Sequence, residues 1–156
     1  AIVAIKHGLE SDEKRRFTFG MRPEQTQAVE KTIAYFESFK KENPGKTPHF
    51  LWNAKMRFGK TFATYQLAKQ MGWKKILVLT FKPAVQSAWE EDLENHVDFT
   101  GWQFVSRKGM PFEEADNNGP IVCFGSFQDY LGKNKAGGIK AKNEWVHATH
   151  WDCVVL

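Results

Sequence analysis

Cysteine is nearly absent from this chain: its 156 residues hold two, Cys123 and Cys153. Two thiols 30 positions apart make neither a disulfide framework nor a metal-ligand cluster. Each falls in an apolar run that reads as a strand, so both are expected as small core residues. Long hydrophobic runs are missing as well. None approaches the roughly 20 apolar residues that a membrane-spanning helix requires. The segment from Ala1 to Lys6 is too short for the apolar part of a signal peptide. From these absences a cytoplasmic chain without a membrane partner is expected. The histidines His7, His49, His96, His147 and His150 show no ligand pattern. His147 and His150 are spaced as helix neighbours, yet no cysteine or acid completes a zinc site with them. No internal repeat is visible.

Hydrophobic residues make up 42% and charged residues 26%, the balance of one globular domain with a sizeable core. Aromatics reach 14%, with 13 Phe and 6 Trp, which favours a well-packed core or an aromatic-lined surface. The net charge is +4 and the pI near 9.0, compatible with a polyanionic partner. The stretch from Gly132 to Lys142 concentrates Lys133, Lys135, Lys140 and Lys142 among glycines. It reads as a solvated loop or as a contact to nucleic-acid phosphates.

Periodicity supplies the elements. After a mixed start (Ile2 to Ile5 as a short strand, Glu10 to Arg16 charged and exposed), Pro23 to Lys41 reads as a helix. Pro23 suits its first turn, Val29, Ile33, Phe36 and Phe39 share one face, and Asn43-Pro44-Gly45 ends it. His49 to Trp52 reads as a short strand. Lys60 to Met71 reads as a helix closed by Gly72. The run Ile76 to Thr80 is continuously apolar, as a strand covered on both faces should be. A helix over Pro83 to Leu93, a strand over Trp102 to Ser106 and a polar loop or short helix over Pro111 to Gly119 follow. A strand over Ile121 to Phe124, a short helix over Phe127 to Leu131 and a buried strand over Cys153 to Leu156 complete the series. Strands alternating with helices predict an α/β fold with a mostly parallel sheet and helices on both faces.

The segment Ala54-Lys55-Met56-Arg57-Phe58-Gly59-Lys60-Thr61 carries the chemistry. The phosphate-binding pattern is Gly, four residues, Gly, Lys, Ser or Thr. Gly59, Lys60 and Thr61 match it, and Ala54 replaces the first glycine. Gly59 permits a tight turn that brings amides close to phosphate oxygens, and Lys60 offers a mobile cation to the β- and γ-phosphates. Thr61 offers a hydroxyl to Mg²⁺, and the helix that opens here directs its positive end at the anion. The bland alternative is a Gly-Lys-Thr at an ordinary turn before a helix.

With that loop placed, the chain from Met21 to Leu156 resembles the first RecA-like domain of superfamily 2 helicases and translocases. It is most similar to the motor subunits of type III restriction enzymes and to DEAD/DEAH-box-like proteins. Met21-Arg22-Pro23-Glu24-Gln25 resembles the family's Arg-Pro-x-Gln segment, which implies that Gln25 reads the adenine edge of ATP, with Gln27 the weaker candidate. Leu79-Thr80-Phe81-Lys82-Pro83 resembles the strand-to-helix turn called motif Ia, and Cys123-Phe124-Gly125-Ser126-Phe127-Gln128 a later strand end. Both imply contacts to the nucleic-acid backbone, through Thr80 and Lys82 and through Ser126 and Gln128; a helix cap at Ser126 explains the second segment nearly as well. Trp151 to Leu156 resembles the strand that leads into the acidic motif II. Asp152 stands at the wrong end of that strand to be one of its acids.

The resemblance implies an N-terminal extension over residues 1–20 and an ATP-binding domain over 21–156, ending before motif II. It implies ATP and Mg²⁺ as cofactors and DNA, in duplex form, as partner. A second RecA-like domain of the same parent and a methyltransferase or specificity subunit are further partners. The fragment alone is then expected to bind nucleotide weakly and to hydrolyse it poorly. A stand-alone helicase and a non-enzymatic nucleic-acid-binding module are the rival readings. A small nucleotide kinase would need an arginine-rich lid, which no segment supplies.

Overall fold

A computed structural model of the chain describes residues 15–132, 135–138 and 141–156. The expected strand Ile2 to Ile5, most of the charged segment after it, and Lys133 and Lys140 of the basic stretch lie outside the described residues. The chain divides into two compact units, Phe19–Gly72 and the unit of Trp73–Leu156 with residues 15–18.

The first unit is built on two packed helices, α1 (Pro23–Glu42) and α2 (Lys60–Met71). Pro23 opens α1 as its pattern demands, and Lys40 and Lys41 sit in its last turn, where cations suit the negative end of the helix dipole. Asn43 caps it through its amide on the Phe39 carbonyl at 2.8 Å. The segment Phe62 to Ala68 of α2 is buried without interruption. Its end is Gly72, left-handed at φ 71°.

The link between α1 and α2 departs from expectation. His49 to Trp52 forms no strand. Its rings go to a helix instead: Phe50 lies 5.4 Å from Tyr35 and 6.3 Å from Phe36, and Trp52 Nε1 donates to Thr32 Oγ1 at 2.8 Å. Leu51 stays 88% exposed. The apolar run is satisfied by aromatic contacts to α1 rather than by a β-ladder.

The second unit holds a four-stranded, all-parallel sheet in the order β2-β3-β1-β4. The strands are β1 (Lys75–Thr80), β2 (Gln103–Ser106), β3 (Ile121–Ser126) and β4 (Cys153–Val155). The α/β class and parallel sheet match the periodicity reading. One sheet face carries Leu77, Leu79, Val105, Ile121 and Cys123, packed with Tyr130, Val146, Phe112, Trp145 and Trp151. The alternate residues Ile76, Val78, Phe104, Val122 and Phe124 are buried too, so both faces are covered, which explains the unbroken apolar runs of β1 and β3.

Around the sheet lie α3 (Gln86–Asn95), α4 (Phe127–Leu131) and α5 (Glu144–Ala148). The helix expected from Pro83 begins as a 3-10 turn, Pro83–Val85, closed by the Val85 amide on the Lys82 carbonyl; α-helix starts only at Gln86. β4 is shorter and less buried than expected. Among the described residues it pairs with β1 alone, and Val154 is half-exposed at that edge of the sheet. Cys153 is accordingly only partly buried, whereas Cys123 is fully enclosed. His147 lies in α5, but His150 follows the cap residue Thr149, so the two are not neighbours on one helix. Residues 15–18 join this unit. The Phe17 amide donates to Asn95 O, the Val97 amide to Phe17 O, and Arg15 Nη1 donates to the carbonyls of Leu93 and His96 at 2.7 and 2.8 Å.

Candidate functional site

Ala54 to Gly59 is an irregular turn that runs directly into α2, whose first residues are Lys60 and Thr61. Two of its residues take left-handed backbone: Arg57 at φ 67° and Gly59 at φ 79°. Gly59 tolerates this; for Arg57 the conformation costs about 1 kcal/mol or more, a cost that persists only where surrounding contacts impose it.

Those contacts come from the start of α1. Arg22 Nη2 donates to the carbonyls of Arg57 at 2.8 Å and Phe58 at 2.5 Å. Gln25 Nε2 donates to the carbonyls of Phe58 at 2.8 Å and Gly59 at 3.2 Å. Gln25 Oε1 in turn accepts the Arg22 amide at 2.8 Å, the reverse limb of a capping box. Three consecutive loop carbonyls are thus turned toward Arg22 and Gln25. In a trans peptide the carbonyl and the following N–H point in opposite directions. The amides of Phe58, Gly59 and Lys60 therefore face away from Arg22 and Gln25. The Phe58 amide closes a turn on Lys55 O at 3.2 Å. Those of Gly59 and Lys60 stand at the mouth of α2, whose first-turn amides have no intrahelical acceptor.

Close approach also fixes the residue at 59. A β-carbon there would lie 2.4 Å from Gln25 Nε2. Gly59 is needed for both its backbone angle and its lack of a side chain. The arrangement offers an anion the amides of Gly59 and Lys60, the positive end of a twelve-residue helix, and the exposed Lys60 side chain. Thr61, half-buried on the next position, carries the hydroxyl suited to a phosphate-bound Mg²⁺. Among the described residues no group of three His, Cys, Asp or Glu side chains could hold a metal by itself.

Gln25 itself is only 4% exposed, and its carboxamide is engaged on both its oxygen and its nitrogen. In this geometry it positions the loop; an adenine edge would have to displace those bonds. Gln27 instead lines a hollow of about 720 Å³ with Arg22, Phe50, Trp52, Lys55 and Phe58. Gly59, Lys60 and Thr61 are not among the residues that line that hollow. Ala54, Lys55, Met56 and Arg57 all border it, and Met56 is almost wholly in solvent. The role of Arg22 was not legible from its sequence position. Its signal in the sequence is its place in the Arg-Pro-x-Gln-like segment, three residues before Gln25.

The second group of expected residues lies where β1 and β3 end. Register pairs Thr80 with Ser126. Thr80 Oγ1 accepts the Lys82 amide at 3.1 Å and Lys82 is exposed. Ser126 is 4% exposed and its Oγ accepts the Asp129 amide at 3.0 Å, which makes it the N-cap of α4. Gln128 is exposed. Asp152 accepts the amides of Lys74 and Lys75 at 2.9 and 3.0 Å, a structural tie at the start of β1.

Over 130 residues the chain is 37% identical to a protein of Mycoplasma pneumoniae named as a candidate type II restriction enzyme and methyltransferase, C-terminus. The similarity covers 81% of this chain and 17% of that protein, so the chain spans about a sixth of the relative's length. No family model matches the chain, and no solved structure does. Among the described residues no helix is long and apolar enough to cross a membrane.

Proposed function

We propose that this chain is the nucleotide-binding part of an ATP-dependent DNA translocase or helicase that serves a restriction-modification protein. One observation carries the nucleotide reading: Arg22 and Gln25 hold the carbonyls of residues 57–59 and so turn the amides of Gly59 and Lys60 outward at the start of α2. In this reading those amides and Lys60 bind the β- and γ-phosphates of ATP, and Thr61 supports Mg²⁺, which neutralises phosphate charge when bound. Thr80, Lys82 and Gln128, at the carboxyl ends of β1 and β3, contact the DNA backbone, the usual place for ligands on an open parallel sheet. The name of the Mycoplasma relative supports the restriction-modification context and DNA as the substrate. That name carries a type II designation, so the proposal rests on restriction-modification in general and not on the type III subunits that the sequence resembles.

The test is equilibrium binding of a fluorescent ATP analogue with Mg²⁺ to the chain and to Lys60→Ala. Saturable binding displaced by ADP is expected. Loss of charge-assisted bonds worth about 1.5–3 kcal/mol should weaken it roughly 10- to 100-fold in the variant. Absence of saturable binding, or equal affinity in Lys60→Ala, overturns the nucleotide reading. DNA binding without any nucleotide binding would favour a plain nucleic-acid-binding module.

A further inference from the structure

The ends of β1 and β3 carry an aromatic pair that the phosphate contacts leave unexplained. Thr80 and Ser126 face each other in register, so Phe81 and Phe127 leave the sheet side by side. Their ring centroids are 4.5 Å apart and their planes 32° from parallel. Phe127 is packed against the core cluster of the sheet. Phe81 is 77% exposed, more than any other aromatic side chain among the described residues. A core residue does not need that placement, and a purely structural turn does not need that ring.

The surroundings indicate what covers it. Lys82 and Gln128 follow the two rings and are exposed, and the turn from Thr80 to Gln86 contains no acid. The nearest acid after Phe127, Asp129, is paired with Arg107. Val85 is also exposed in this turn, at 40%. A flat π-face beside a cation and hydrogen-bonding groups matches a nucleic-acid strand, whose every base has a π-face and whose every link has a phosphate. A paired base in a duplex has both faces covered by its neighbours, so the occupant must be unpaired.

We propose that Phe81, backed by Phe127, is a stacking plate for an unpaired base of the strand whose phosphate Lys82 contacts. This rests on the reading of Lys82 given above and extends it from backbone contact to base stacking. Stacking tolerates any base, so the plate grips a strand without reading its sequence, as a translocating protein needs.

The test uses the full chain and three fluorescein-labelled ligands: a short oligothymidylate, an abasic strand of equal length, and a hairpin duplex. Phe81→Ala should weaken oligothymidylate binding about 5- to 100-fold and leave the salt dependence unchanged, because no charge is lost. Phe81→Leu keeps apolar bulk without a π-face and should lose as much, while Phe81→Trp should keep wild-type affinity. Lys82→Ala should lower the slope of log affinity against log salt by about 0.7. The abasic strand should bind the wild type and Phe81→Ala alike. The plate is overturned if Phe81→Ala binds oligothymidylate within twofold of wild type, if Phe81→Leu binds normally, or if Phe81→Ala weakens the abasic strand or the duplex equally. In those cases a Lys82→Ala effect still leaves the phosphate contact standing. If the wild type binds no strand, both readings fail together.

Discussion

Gln25→Ala separates two roles for one side chain. If Gln25 positions the loop, its removal leaves the Arg22 amide without its acceptor, takes one of two donors from the Phe58 carbonyl and leaves the Gly59 carbonyl to the Ala63 amide alone. The bond to the Arg22 amide is a helix-end contact worth about 1 kcal/mol, and the two loop bonds contribute about 1 kcal/mol each. Arg22 still holds the Phe58 carbonyl, so the sum of about 3 kcal/mol is an upper value. At about 2–4 °C per kcal/mol for a chain of this size, the melting temperature should fall by up to roughly 6–12 °C. Gln25→Glu should do at least as much harm, because a carboxylate keeps an acceptor for Arg22 but sets a negative charge against two carbonyls. Thermal melts followed by circular dichroism, with and without a nucleotide analogue, measure this. If Gln25 served only to read adenine, Gln25→Ala would melt with the wild type and lose only its preference for ATP over GTP. An unchanged melting temperature would therefore refute the positioning role.

Two further outcomes follow from the second unit. Asp152→Ala removes the acceptor for the Lys74 and Lys75 amides. The site is exposed and water can substitute, so stability should drop by about 1–2 kcal/mol with nucleotide affinity unchanged. A loss of nucleotide binding without a stability change would instead restore Asp152 as a functional acid. Burial pushes the Cys123 and Cys153 thiols up to about 12 from an ordinary value near 9, with Asp152 adding to the shift at Cys153. The folded state thus favours neutral thiols. Their contribution is complete below pH 9 and is lost as pH rises through 9 toward 12. Native protein at pH about 8 should react slowly with Ellman's reagent and the denatured protein at once; fast stoichiometric labelling of the native thiols would contradict this.

The elements visible in the sequence were those with local punctuation. α2 was legible to the residue because Gly59 and Gly72 bound it, both left-handed. β1 and β3 were legible because burial on both faces leaves an unbroken apolar run. His49 to Trp52 misled for the same reason: an apolar run also suits rings laid against a helix, and Phe50 and Trp52 take that option. α5 was missed because Glu144 to Ala148 is too short for a helical period to emerge, although its Val146 and Trp145 pack on the sheet. In the loop, Gly59, Lys60 and Thr61 could be picked out by type and spacing. What Arg22 and Gln25 do there depends on contacts across more than thirty residues, which no local pattern encodes. No pattern in the sequence marks the exposure of Phe81 beside Phe127.

The Asp152 tie has a consequence for how the sheet assembles. It joins residues 77 positions apart, and every strand pairing in this parallel sheet is likewise non-local. Closing a loop of that length costs about 4 kcal/mol of chain entropy, against about 1 kcal/mol for a tight hairpin. The three-residue β4 offers few ladder bonds to offset it, so the strand should be the last to dock and the first to leave. The Asp152 carboxylate then acts as a latch: by taking the amides of Lys74 and Lys75 it sets the register, in which a one-residue slip would turn Cys153 and Val155 to the opposite face. In hydrogen exchange, the Lys74 and Lys75 amides should therefore report the opening of β4 separately from the slower exchange of the β1–β3 core.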